Sequence, residues 1–264
     1  MHSSNPSPSQ LNSPDLDPAA LDAAALDAAV LDAATVDAAN LDPAGLNRSQ
    51  HTPTGTWLVL VGIALYLCEF LGFAIAGGYP FNEPGTPLDQ IPSAYVGFEN
   101  GAGFLVGWMA LVLSGRILII IGLRSVIGRT ALLDWAVAAM VVSVALEVVS
   151  VAAMAAAAAM VANGAGLDAV VVADRLSLAL GSGVATAAGL AALLAAIEMW
   201  RSSLFPRALV IAGVLLGAVM LVSGLLAGPP STYPVGSALS IGVLFWFGWA
   251  VWTGVLLVRR ARRT

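Results

Sequence analysis

The chain has 264 residues, 59% of them hydrophobic and only 10% charged, with a net charge of −5 and a mean hydropathy of +0.88. A soluble domain carries about 25% charged residues, so lipid must solvate most of this chain. Nucleic-acid binding is excluded because no basic patch lies outside a short C-terminal cluster, an intrachain disulfide because Cys68 is alone, and a haem or His-based metal site because His2 and His51 both precede the apolar region.

The N-terminal segment reads "LDPAA LDAAA LDAAV LDAAT VDAAN LDPAG LN" from Leu16, and its six Asp residues together with Asp15 make seven of the sixteen acidic residues. Internal repeats come first because they can change the fold. The spacing resembles pentapeptide-repeat proteins, which wind into a square β-solenoid. That family places Asp or Asn before the central Leu, however, whereas here it follows. Seven repeats would also make too few coils to bury a continuous core. As a helix, five residues advance about 500°, so the leucines spiral instead of forming a stripe. Residues 1–55 are therefore expected to be a disordered or weakly helical low-complexity tail, with protein-partner binding as its alternative use. No charged segment followed by an apolar one lies near Met1, so no cleavable signal peptide is expected.

A helix needs about 20 apolar residues to cross a hydrocarbon core about 30 Å thick. Six stretches within 56–258 meet that need: Trp57–Gly77, Gly103–Leu123, Trp135–Val161, Leu176–Trp200, Ala208–Ala227 and Ser237–Val258. The expected fold is an all-α, polytopic six-helix transmembrane bundle, with 259–264 as a basic C-terminus. Arg124 and Arg129 lie between spans two and three, Arg201 and Arg207 between four and five, and four Arg residues follow span six. The odd-numbered loops hold Arg175 alone, against Glu83, Asp89, Glu99, Asp168 and Asp174. The positive-inside rule then puts both termini and the even-numbered loops in the cytoplasm, with the bundle in a bacterial cytoplasmic membrane. An all-Arg basic set beside abundant Ala and Gly fits a high-GC bacterial coding bias. Trp57, Trp135 and Trp200 fall at the cytoplasmic ends of their spans, where an aromatic belt belongs.

Span one carries Glu69 on a face with Gly62, Tyr66, Gly72 and Ala76, by i, i+3/i+4 spacing. The loop after it, Gly78–Ala102, is rich in Pro and aromatic residues. It is expected to rest on the membrane interface, with folding over the bundle mouth as the alternative. Span two places Arg116 near its middle, where a guanidinium costs about 2.5–3.5 kcal/mol on insertion scales. Span three carries Glu147 on a face with Met140, Ser143, Ser150 and Met154. Small residues let helices approach and serines bond across them, so both faces point inward, and Glu69, Arg116 and Glu147 are expected to cluster. Such a cluster is either polar glue that fixes helix registry or, with two acids against one base, a proton-exchanging transport site.

Asp174 and Arg175 are expected to open span four as a solvated helix start, with an outer-mouth gate as the alternative. "LGSG", Leu180–Gly183, lacks the preceding Gly of a serine-protease turn, and no membrane His could activate Ser182. The G-x-x-x-G matches Gly103–Gly107, Gly213–Gly217 and Gly224–Gly228 are expected to pack within the chain. Trp246, Trp249 and Trp252 of span six, with Phe245 and Phe247, are expected to be bulky core or lipid-facing packing.

"MWRSSLFPRALVIAGVLLG", Met199–Gly217, resembles the cytoplasmic turn of a bacterial family of six-span membrane proteins with no assigned function. There, a W-R-S end of span four leads to a P-R-x-L-x-x-x-G start of span five. Trp200, Arg201, Ser202, Pro206, Arg207, Leu209 and Gly213 match. The resemblance implies the same bundle and no particular activity.

The sequence thus points first to a non-enzymatic structural or accessory membrane protein whose partner is the lipid bilayer. The alternative is a small transporter or proton-linked permease using Glu69, Arg116 and Glu147. An enzyme ranks third, and no cofactor is expected. Nothing in the sequence sets an oligomeric state.

Overall fold

The computed structural model describes residues 53–78, 80, 82–239 and 241–262. The repeat tail, with the expectations of disorder and partner binding attached to it, lies outside the described residues. Among those described, every regular element is helical. Helices α1 (Pro53–Leu67) and α2 (Glu69–Ile75) form span one, and a 3-10 helix, Leu88–Tyr95, lies in the loop that follows. Spans two to five are α3 (Glu99–Ile127), α4 (Ala131–Ala162), α5 (Leu167–Ser202) and α6 (Arg207–Ala227). Span six is α7 (Tyr233–Leu239) followed by α8 (Gly242–Ala261). These are six helical units long and apolar enough to cross a membrane, with mean hydropathies of 1.9 to 2.6. The fold is an all-α, six-helix transmembrane bundle.

Each span packs on the next in chain order, and span six returns to span one, which closes a ring. Spans one and two meet along glycines two turns apart. A Cβ on Gly62 would fall 2.5 Å from the Gly115 carbonyl oxygen, and one on Gly122 would fall 2.7 Å from that of Gly55. Only a residue without a side chain permits this approach, and close approach is what replaces hydrophobic drive inside lipid. Gly189 and Gly217 make the equivalent seam between spans four and five. Of the three G-x-x-x-G pairs, Gly217 and Gly224 face neighbouring backbone as expected, but Gly103 and Gly107 face nothing among the described residues. Their side of α3 carries exposed Phe104 and Leu111, so it is turned outward from the ring.

The helices outrun the expected spans. The 36-residue α5 starts at Leu167 rather than Leu176. Asp168, Asp174 and Arg175 interrupt an apolar window without breaking a helix, so hydropathy alone ends the span too early. Asp174 and Arg175 consequently stand inside α5 and do not open it. At the even-loop end, Thr130 caps α4 by accepting from the Leu133 amide at 3.3 Å, and Asp134 in its first turn pairs with Arg124 at 2.6 Å. Trp57, Trp135 and Trp200 are exposed at that same end.

The buried apolar side chains fall into two groups. In the even-loop half, one continuous core draws on all six spans, from Val59 and Leu123 through Ala192 and Leu209 to Trp249. In the odd-loop half, the second core draws on the loop after span one, on spans two and three, and on the start of α5. Spans five and six contribute nothing to it. That asymmetry leaves space between α5, α6 and span six.

Candidate functional site

Span one is broken at Cys68. Its amide donates to the Leu65 carbonyl at 3.0 Å, a tightened turn, and the indole N–H of Trp108 donates to the Cys68 carbonyl at 2.8 Å. Trp108 fits because Gly72 has no side chain, since a Cβ there would run into the indole. The break starts α2 at Glu69, whose carboxylate reaches Arg116 of span two.

There Arg116, 5% exposed, holds both acids. Its Nη2 donates to Glu69 Oε2 at 2.9 Å, its Nη1 to Glu147 Oε2 at 2.5 Å, and Nη2 again to Glu147 Oε1 at 3.3 Å. The contact with Glu147 is a two-pronged fork, the geometry a planar guanidinium favours. The Arg116 guanidinium carbon also lies 4.5 Å from the centroid of the Tyr66 ring. Tyr66 packs edge-on against Trp246, with ring centroids 5.2 Å apart. One turn of spacing on each face thus delivers the tyrosine and the two carboxylates to one guanidinium.

The layer is not solid. A cavity of about 190 Å³ is bounded by Tyr66, Glu69, Arg116 and Glu147, with Met140, Gly181, Val184, Ala185, Ala188, Met220, Val243 and Trp246 completing the wall. Arg116 Nε and Trp246 Nε1 are buried here without a hydrogen-bond acceptor. Toward the odd-loop end a second cavity, about 250 Å³, is lined by Asn82, Tyr95, Asp174, Ser177, Ser182 and Tyr233 among others. Gly181 and Ala185 line both. Toward the even-loop end the first cavity stops on Met140, Ala188, Met220 and Trp246, all members of the continuous apolar core.

Asp174 and Arg175 sit together in sequence but have different partners. Asp174 is 3% exposed, not a solvated helix start. Its Oδ1 accepts from Asn82 Nδ2 at 2.7 Å and from the Tyr95 hydroxyl at 2.8 Å. Arg175 turns to the loop after span one and donates to the carbonyls of Glu83 at 2.8 Å and Thr86 at 3.0 Å. Its Nη1 is 3.7 Å from Asp174 Oδ2, beyond hydrogen-bond reach. The cause is the loop itself. It does not simply rest on the interface: its 3-10 helix packs on α4 and α5 and buries Ile91 and Tyr95 completely. The chain around Asn82 is thereby carried over Asp174.

Serines tie the cavity wall together. Ser150 Oγ donates to the Ser177 carbonyl and Ser143 Oγ to that of Val184, both at 3.0 Å. In span six, Trp246 and Trp249 are buried while Trp252 and Phe245 are exposed. Trp249 donates to the Leu209 carbonyl at 3.0 Å, so its role is core packing, whereas Trp246 also walls the cavity. Trp108, Asn82 and Tyr95 escape a reading of the sequence because each acts through a carbonyl or carboxylate far away in the chain. Glu198 gives no signal in the sequence either. It is buried near the even-loop end and pairs with Arg201 at 3.1 Å.

The arrangement can hold a positive charge or exchange a proton, having two carboxylates on one guanidinium beside open space. It contains no activated nucleophile. Comparison with known protein families, curated proteins and solved structures gives no match.

Proposed function

We propose that the chain is a small proton-linked transporter that receives a polar solute at the Glu69–Arg116–Glu147 layer. The observation that carries this reading is the pair of cavities whose walls share Gly181 and Ala185. They run from the odd-loop end to the charged layer and end on packed apolar side chains. A buried ion pair needed only to fix registry gains nothing from adjoining empty space, which forfeits packing contacts. The proposal places the bundle in a bacterial cytoplasmic membrane with both termini inside, on the strength of the Arg-rich even-loop end. The cavities then open outward, and the even-loop core is the closed inner gate.

A second reading, polar glue between spans one, two and three, draws support from the way Arg116 bonds to both acids at once. Charge movement in proteoliposomes separates the two. Small amines, amino acids, carboxylates and sugars would be applied in turn across an imposed pH gradient. At least one class is expected to drive a protein-dependent current that Glu147→Gln abolishes while folded yield stays at the wild-type level. Gly181→Leu should abolish it too, because a Cβ there meets no described atom within 4 Å and the side chain would project from the wall that the two cavities share. No current from any class, an undiminished current in Glu147→Gln, or lost accumulation as its sole effect contradicts the transporter.

A further inference from the structure

The two acids on Arg116 are not held alike. Each oxygen of Glu147 accepts a hydrogen bond, Oε2 from Nη1 and Oε1 from Nη2, whereas Glu69 accepts through Oε2 alone. Glu69 Oε1 has no partner among the described residues. It is not sealed either, since the Glu69 side chain keeps 11% exposure and borders the inner cavity. We infer that Glu69 takes up and releases the transported proton on Oε1, while Glu147 stays ionised as the fixed counter-ion of Arg116.

The charge balance of the layer agrees. Two carboxylates on one guanidinium leave a negative charge in excess, which is costly inside a membrane unless it is neutralised. Besides these three groups, the cavity wall holds one ionisable side chain, Tyr66 of span one. Spans four, five and six present none there. A proton fits the one free oxygen, whereas a metal ion wants several oxygens at once. Loaded, the layer is neutral: Glu69 carries an O–H on Oε1, facing the cavity, and its Oε2 still accepts from Arg116. On release the proton passes to water in the cavity, and Glu69 becomes the second anion on Arg116. Hydrogen bonds to a carboxylate favour its charged form, so the doubly held Glu147 is the poorer carrier. The same assignment explains why Glu147→Gln should stop the current. Glu69 would then be the only anion on Arg116 and would be held ionised.

This inference rests on the transport reading for the proton's purpose, but its test measures no transport. The full chain in nanodiscs would be treated with diisopropylcarbodiimide and the adducts located by mass-spectrometric sequencing. Cys68→Ser serves as background, because thiols also add to carbodiimides. The reagent needs a protonated acid: the carboxyl proton goes to one of its nitrogens, and the carboxyl oxygen bonds its central carbon. Glu69 is expected to carry the adduct about tenfold more often than Glu147, and Glu147→Gln to lower labelling of Glu69 by about tenfold. Should that variant fail to fold, Glu147→Asp keeps the anion and should leave the labelling of Glu69 within about twofold. An unlabelled Glu69, as a purely structural ion pair would give, overturns the inference. So does an adduct on Glu147 as frequent as on Glu69, or labelling of Glu69 unchanged in Glu147→Gln. A solute-driven current with the adduct on Glu147 would refute this assignment and spare the transporter. An adduct on Glu69 without any current would do the reverse.

Discussion

The two halves of the bundle are built from the same kinds of residue but packed to different ends. In the even-loop half all six spans close on one apolar core, with Ala191, Ala192, Ala195 and Leu209 wholly out of reach of solvent. In the odd-loop half the apolar core is pushed to one side, and a folded loop, serines and a buried aspartate border the space beside α6 and span six. Arg116 lies where the two regimes meet. The difference teaches that a membrane bundle can be packed solid at one end and hollow at the other, because small residues serve both tight seams and cavity walls.

The boundary itself should be the most sensitive place. Arg116→Leu strands Glu69 and Glu147 beside each other, and breaking a buried ion pair costs about 3–5 kcal/mol. Unfolding in detergent is expected to show a loss of that order. Arg116→Lys, which keeps the charge but not the fork, should lose less. A wild-type stability for Arg116→Leu would mean that the layer is not the seam between the halves.

A smaller effect sharpens the contrast. Ala192 is fully enclosed in the even-loop core, so Ala192→Leu forces overpacking, at about 1–3 kcal/mol. Ala185, two turns earlier on α5, lines both cavities, so Ala185→Leu has room and should stay within about 0.5 kcal/mol. Equal penalties for the two would erase the distinction between a packed half and an open one.

Much of this was legible in the sequence for definite reasons. Lipid demands long apolar helices, so the six spans could be counted, and i, i+3/i+4 spacing put Glu69 and Glu147 on the small, serine-bearing faces that turn inward. The helix limits were not legible at α5, where Asp168 and Asp174 lower hydropathy without ending a helix. The seam of Gly55, Gly62, Gly115 and Gly122 repeats every two turns, a spacing present in the sequence but less conspicuous than G-x-x-x-G. Three features lay beyond one-dimensional reading: the break at Cys68, secured by Trp108; the loop that brings Asn82 and Tyr95 to Asp174; and the cavities. Each depends on which distant neighbour fills, or leaves, a given space.

The central claim is that water reaches the charged layer from the odd-loop end and stops there. Cysteine accessibility tests it most directly, using the full chain in nanodiscs with Cys68→Ser as background and a charged methanethiosulfonate as the label. A cysteine at Ala185 should react at least a hundredfold faster than one at Ala192. An unreactive Ala185→Cys, or equal reaction at both positions, would contradict the account.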